Sequence, residues 1–150
     1  MIAMFPGSFD PFTIGHADIV RRALPLFDHL VIAIGENAAK TPCFPLNERL
    51  EAIRAYFKNE SKISVISYDG LTIDAARQHH VQYFIRGVRS VGDYEYERSM
   101  ADANRKISAS TGELIDTLLL YTDPQLAYIS SSLIRDLYHH GADITQFVAK

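Results

Sequence analysis

A chain of 150 residues is long enough to close one domain around a full hydrophobic core without disulfide or metal staples. Its composition, 47% hydrophobic and 22% charged, is that of an ordinary globular protein, and a net charge of -3 argues against a general nucleic-acid binder. The single cysteine, Cys43, excludes an internal disulfide and fits a reducing compartment.

The chain opens on a short apolar strand, Ile2–Phe5, which runs into FPGSFDPFTIGH (Phe5–His16), a stretch dense in turn residues that ends in a titratable ring. Ile19, Val20, Ala23 and Leu24 then share one helical face. A second strand, Leu30–Ile34, leads into GENAAKTP, which holds Lys40. Pro45 is expected at the first position of a helix striped by Leu46, Leu50, Ile53 and Phe57. Ile63–Tyr68 predicts a third strand, Thr72–His79 a short helix, and Tyr83–Ile85 a fourth strand followed by IRGVRS with Arg86 and Arg89. Asp93–Ile107 predicts a longer helix, whose early acids Asp93, Glu95 and Glu97 suit the positive end of its dipole. A fifth strand, Ile115–Tyr121, precedes AYISSSLIR, where three serines open a last helix that stops at Gly141.

The strand runs are mostly continuous rather than alternating, which suits strands covered on both faces. With the β-α-β-α order, this gives a single domain over 1–150 of the α/β class. The expected architecture is a Rossmann-like doubly wound parallel five-stranded sheet with helices on both faces. The apolar runs are too short to span a bilayer, and no cationic, apolar leader precedes the first strand. The expected compartment is the cytoplasm, with no membrane and no nucleic acid as partner.

Ligands of such sheets sit beyond the C-terminal ends of the strands. The post-strand loops would bring His16, Lys40, Arg86, Arg89 and several hydroxyls to one edge, with helix N-termini supplying free N–H groups. Singly, GSFDP is a tight turn, a serine is an N-cap and an arginine near a helix end is solvated. Capping explains one serine or two, but not all three. Together, in an acidic chain, these groups point to more than one phosphate. Neither GxGxxG nor GxxxxGK[ST] is present. The doublets His79–His80 and His139–His140 are poor metal ligands, since adjacent helical residues diverge and there is no Cys or His at i+4. Cys43 has no obvious base among Pro42, Phe44 and Pro45.

TIGH (Thr13–His16) after a first strand, paired with ISSSLIR (Ile129–Arg135), resembles the nucleotidylyltransferase superfamily. With PGSFDPFTIGH, IRGVRSVGDYEYE and the spacing of Lys40, the whole chain is similar to the bacterial phosphopantetheine adenylyltransferases. The resemblance implies transfer of the adenylyl group of ATP to 4′-phosphopantetheine by direct in-line attack, giving dephospho-coenzyme A and pyrophosphate, the penultimate step of coenzyme A biosynthesis. It implies that His16 stabilises the transition state and that Lys40 and Arg86 hold the acceptor phosphate. Ser8 and Phe9 would contact ATP, Ser8 lying also near the acceptor, and Thr72 would line the pantetheine site. Gly87, Val88, Arg89 and Glu97 would bind ATP, as would Leu126, Ala127, Tyr128, Ile129, Ser130, Ser131 and Ser132. Mg²⁺ would be held mainly through ATP phosphates, with no protein residue assigned as a metal ligand. A cytoplasmic homohexamer and feedback binding of coenzyme A are implied as well. Ser8 stands where the family commonly has Thr, and Thr72 where it has Leu or Met. The segment between Asn104 and the serine run is a few residues longer than usual, and with Lys150 as its last residue the chain is expected to fall short of the C-terminal helix found in many members. Two other readings stay open: another superfamily member, acting on cytidylyl or nicotinamide mononucleotide substrates, and a nucleotide-binding sensor without turnover.

Overall fold

The structure is a computed structural model and describes residues 1–150. Five parallel strands, β1 (Ile2–Gly7), β2 (His29–Glu36), β3 (Ile63–Asp69), β4 (Tyr83–Val88) and β5 (Asp116–Tyr121), lie in the order β3-β2-β1-β4-β5. Helices α1 (Ile14–Ala23), α2 (Leu46–Tyr56), α3 (Thr72–Gln78), α4 (Val91–Ala109) and α5 (Ser131–His139) connect and flank them. Successive strand residues alternate between two apolar layers, as the pleat dictates. Ala3, Phe5, Leu30, Ile32 and Ile34 meet Ile19 and Val20 of α1 and Leu50 and Ile53 of α2. Met4, Val31 and Ala33 meet Ile73 and Ala76 of α3 together with Phe84 and Ile115. A strand covered on both faces needs an apolar residue at every position, which is why the runs read as continuous.

β1 pairs with β2 on one side and β4 on the other, so the strand order reverses between β1 and β4. The crevice expected at that reversal opens beyond Pro6–Gly7 and Arg86–Val88. Most boundaries shift by one or two residues, α4 spanning Val91–Ala109 where the sequence predicts Asp93–Ile107, and three of the shifts have a clear cause. β4 continues past Ile85 because its ladder with β5 persists, Arg86 opposite Leu119 and Val88 opposite Tyr121, so Arg86 to Val88 are strand residues rather than loop. Pro45 is the N-cap of α2, not its first helical residue, since its ψ of 148° is extended. Leu24 leaves α1 for a short 3₁₀ turn, Leu24–Leu26, where Pro25 has no N–H to continue an α-helical ladder.

Helix ends account for the histidine doublets. Gly141, at φ +80°, closes α5, with its N–H on Tyr138 O and that of Ala142 on Leu137 O. His80 takes the same left-handed position after α3, at φ +53°. The His140 ring bonds the Asp136 carbonyl at 2.8 Å.

Candidate active site

The residues before α1 settle the chemical state of His16. Thr13 is the N-cap: its Oγ1 accepts the His16 N–H at 3.3 Å, and its own N–H donates to His16 Nδ1 at 3.0 Å. This is a capping box in which His occupies the N3 place usual for Glu or Gln. A backbone N–H can only donate, so Nδ1 is the unprotonated nitrogen, and Nε2 carries the hydrogen of the neutral ring. Phe5, Phe9 and Phe12 surround the imidazole with centroids 6.1, 5.1 and 5.4 Å away. That burial, and then the positive charges of Arg86 and Arg89, lower its pKa to about 3. The ring is therefore a neutral donor facing a hollow of about 330 Å³ that Arg86, Arg89, Asp93 and Glu97 also line.

Phe9 is fixed in turn by Gly7. Phe9 sits at φ +45° with a buried ring, and a Cβ on Gly7 would lie 2.8 Å from that ring. The requirement for glycine here comes from the Phe9 ring. Gly7→Ala is expected to destabilise the fold by about 1–3 kcal/mol. It should also cut kcat by up to about 10²-fold by shifting the ring that packs on His16. Melting temperature and kcat on the same sample check this, and no change in either would remove Phe9 as the brace of His16.

Opposite His16, Arg86 reaches from β4 to α4. Its Nε and Nη2 donate to the two carboxylate oxygens of Glu97 at 2.8 and 2.7 Å, and Nη1 donates to the Pro6 carbonyl. Glu97 is buried by this pairing, so it is not a solvated acid answering its helix dipole, as its place in DYEYE suggests. Arg89 stays near Asp93, with Nε 3.5 Å from the carboxylate.

The sequence-predicted residues fall into adjoining hollows rather than one. Ser8, Phe9, His16, Arg86, Gly87, Arg89, Glu97, Ile129 and Ser131 line the first. Ser8, Arg86 and Glu97 are shared with a second, of about 400 Å³, where Thr72 lies with its hydroxyl 2.8 Å from Tyr68 Oη. Lys40 lines a third, of about 510 Å³, joined to the others through Ser8. Val88 and Ala127 border a fourth beside Arg89. Leu126, Tyr128, Ser130 and Ser132 line none of these four. Phe9 reaches the site from the core, so its ring is not an exposed platform. Each serine of the triplet has its own partner: Ser130 Oγ caps the Leu133 N–H, Ser131 Oγ donates to Pro11 O, and Ser132 Oγ accepts from Arg135.

Sequence reasoning missed Asp10 and Arg49, both buried beside the site. The signal for Arg49 was present: it falls on the stripe of Leu46, Leu50 and Ile53, where a cation is out of place. No group of three or more His, Cys, Asp or Glu side chains is arranged to hold a metal ion by itself. No helix is long and apolar enough to cross a membrane.

A Rossmann-type sheet with a crevice at its switch point that joins a histidine to two arginines defines an α/β domain of the nucleotidyl-transfer class. The cytidylyltransferase-like family profile matches residues 4–137. The chain is 48% identical to a phosphopantetheine adenylyltransferase of Bacteroides fragilis, over 99% of this chain and 95% of that one. It is 47% identical to a phosphopantetheine adenylyltransferase of Flavobacterium johnsoniae, over 97% and 93%. The chain belongs to the phosphopantetheine adenylyltransferase family. Among solved structures it resembles a bifunctional NMN adenylyltransferase/ADP ribose pyrophosphatase from Francisella tularensis, with TM-score 0.67 and 15% identity. That match covers 99% of this chain and 44% of the other, and at such identity it concerns the fold alone.

Proposed function

We propose that this protein transfers the adenylyl group of ATP to the phosphate of 4′-phosphopantetheine, forming dephospho-coenzyme A and pyrophosphate. The observation that carries this is the neutral His16 ring, its Nε2–H unused, in the crevice between β1 and β4 with Arg86 and Arg89 beside it. An acceptor phosphate oxygen attacks the α-phosphorus in line. The bond to the bridging oxygen breaks, and its electron pair leaves with pyrophosphate. Phosphate monoesters lose their second proton near pH 6, at about pKa 6, so the acceptor is ionised at neutral pH and needs no general base. The barrier lies in aligning two polyanions and stabilising the charge that builds between them.

In this reading Lys40 and Arg86 neutralise the acceptor, and Thr72 flanks its arm. Ser8, Gly87, Val88, Arg89 and Glu97 serve ATP with Phe9 behind them. The stretch from Leu126 to Ser132 flanks ATP, Ile129 and Ser131 from the first hollow and Ala127 from the fourth, its serines meeting the outer phosphates on exchange of their present partners. His16 Nε2–H donates to the α-phosphoryl oxygens as charge gathers there. Mg²⁺ would be held mainly by the ATP phosphates and would offset part of their charge. The enzyme works in the cytoplasm as a homohexamer subject to coenzyme A feedback. Exposed Val91 and Tyr121 supply apolar surface for assembly.

The test is pyrophosphate release from ATP with 4′-phosphopantetheine, run beside nicotinamide mononucleotide and choline phosphate. Release with 4′-phosphopantetheine alone is expected. Release with a rival acceptor overturns the substrate assignment, and no release from folded, ATP-binding protein favours a sensor.

A further inference from the structure

We infer that Arg49 and Asp10 form a buried clamp on the backbone that sets the spacing between Ser8 and the segment bearing Lys40, making both positioning residues for the acceptor side. The inference rests on the adenylyl-transfer reading above. Both side chains are charged and almost fully buried, at 8% and 7% exposure, and neither takes part in an ion pair. Their charges are spent on peptide groups instead. From α2, Arg49 donates Nε to Phe44 O at 3.0 Å and Nη1 to Ser8 O at 2.6 Å. From the loop after β1, Asp10 accepts the Cys43 and Phe44 N–H groups, each at 2.8 Å. The Phe44 residue is thus held at both its N–H and its carbonyl, and Arg135 of α5 steadies the Asp10 carbonyl at 2.9 Å.

The geometry gives these bonds a specific consequence. Residues 37–45 cross from β2 to α2 without strand or helix, and the exposed Lys40 lies three positions before the clamped pair Cys43–Phe44. Ser8 lines all three hollows of the site, while Lys40 lines the third. One guanidinium therefore spans the two loops that carry the shared residue and the outlying cation. A buried charge with no counter-ion is costly unless its hydrogen bonds are filled, so the clamp holds firmly or fails. His16 has its own hydrogen-bonded anchor in Thr13.

The test uses Arg49→Lys and Asp10→Asn in the full chain. Lysine keeps the charge but cannot reach both carbonyls in a fixed fork, and asparagine keeps the size but offers one acceptor in place of two. Each is expected to raise the KM for 4′-phosphopantetheine by about tenfold or more and the KM for ATP, which shares Ser8 but not the Lys40 segment, by no more than about threefold. Cys43, the single thiol, gives a readout independent of activity. Burial and the Asp10 carboxylate hold that thiol above its ordinary pKa. Its rate with an aromatic disulfide reagent, corrected for thiolate fraction, should rise several-fold in both variants. The two KM values moving together, or thermal stability falling with neither KM nor thiol rate altered, overturns the clamp in favour of simple packing. If one variant does not fold, the other carries the same comparison. If wild-type protein releases no pyrophosphate with 4′-phosphopantetheine, the acceptor reading fails. Cys43 reactivity then decides the clamp alone: faster in the variants supports it, unchanged overturns it.

Discussion

Replacing His16 by alanine is expected to lower kcat by about 10²–10³-fold while leaving the Kd for ATP within about twofold. The reason is the protonation state that the fold imposes. With Nδ1 occupied by the Thr13 N–H, the ring has one donor left, and a neutral donor gains most where phosphoryl charge develops rather than in the ground state. Alanine also removes half of the capping box, on the order of 1 kcal/mol of stability. His16→Gln separates the two effects. Glutamine is an ordinary N3 partner in a capping box, so its melting temperature should match wild type while kcat stays low. ATP affinity falling in step with kcat would show that His16 is a ground-state ligand instead. The depressed pKa adds a sign. In the ligand-free protein His16 stays neutral down to about pH 3, whereas the unfolded chain takes up this proton near pH 6.5. The unfolded state thus binds more protons in that window, and stability is lost as pH falls through it. His16→Gln should flatten that part of the stability profile, measurable by denaturant titration at pH 7 and pH 5.

Much of this site could be read from the sequence because it is local. TIGH sets Thr13 and His16 one helical turn apart, and the continuous apolar runs fix which strands are covered on both faces. Position at or just beyond the strand ends then puts His16, Arg86 and Arg89 at one sheet edge. What escaped was every pairing across sequence distance. Glu97 reads as an acid at the start of its helix, and only the packing of α4 against β4 turns it toward Arg86, eleven residues earlier. Asp10 and Arg49 bond backbone atoms, and a backbone acceptor leaves no residue type to recognise. The end of β4 was misplaced for a related reason: a ladder continues through Arg86 and Gly87 whatever their side chains are. The three serines show the opposite limit. A capping signal was visible, but the partners of Ser131 and Ser132 lie in Pro11 and Arg135.

Arg86→Met is expected to damage both stability and turnover, and a second substitution should restore one without the other. Glu97 keeps only about a tenth of its side chain in solvent, so removing its partner strands a carboxylate, at a cost on the order of 2–3 kcal/mol. Changing Glu97 to Gln in the same chain removes the stranded charge, and most of the lost stability should return. Activity should not. Of the five N–H groups of a guanidinium, Glu97 and Pro6 take three, which leaves two for an anion in the crevice. Losing two charge-assisted bonds lowers kcat/KM for the acceptor by about 10²–10³-fold in the single and the double variant alike. The His16 ring supplies an internal check, because Arg86 is one of the charges that lower its pKa. Methionine at 86 should move the ring's titration upward, toward the ordinary histidine range, in both variants, as read by NMR. Recovery of activity along with stability in the double variant would mean that Arg86 serves to hold Glu97 and α4 in place, and that the acceptor phosphate is met by Lys40 and Arg89 instead.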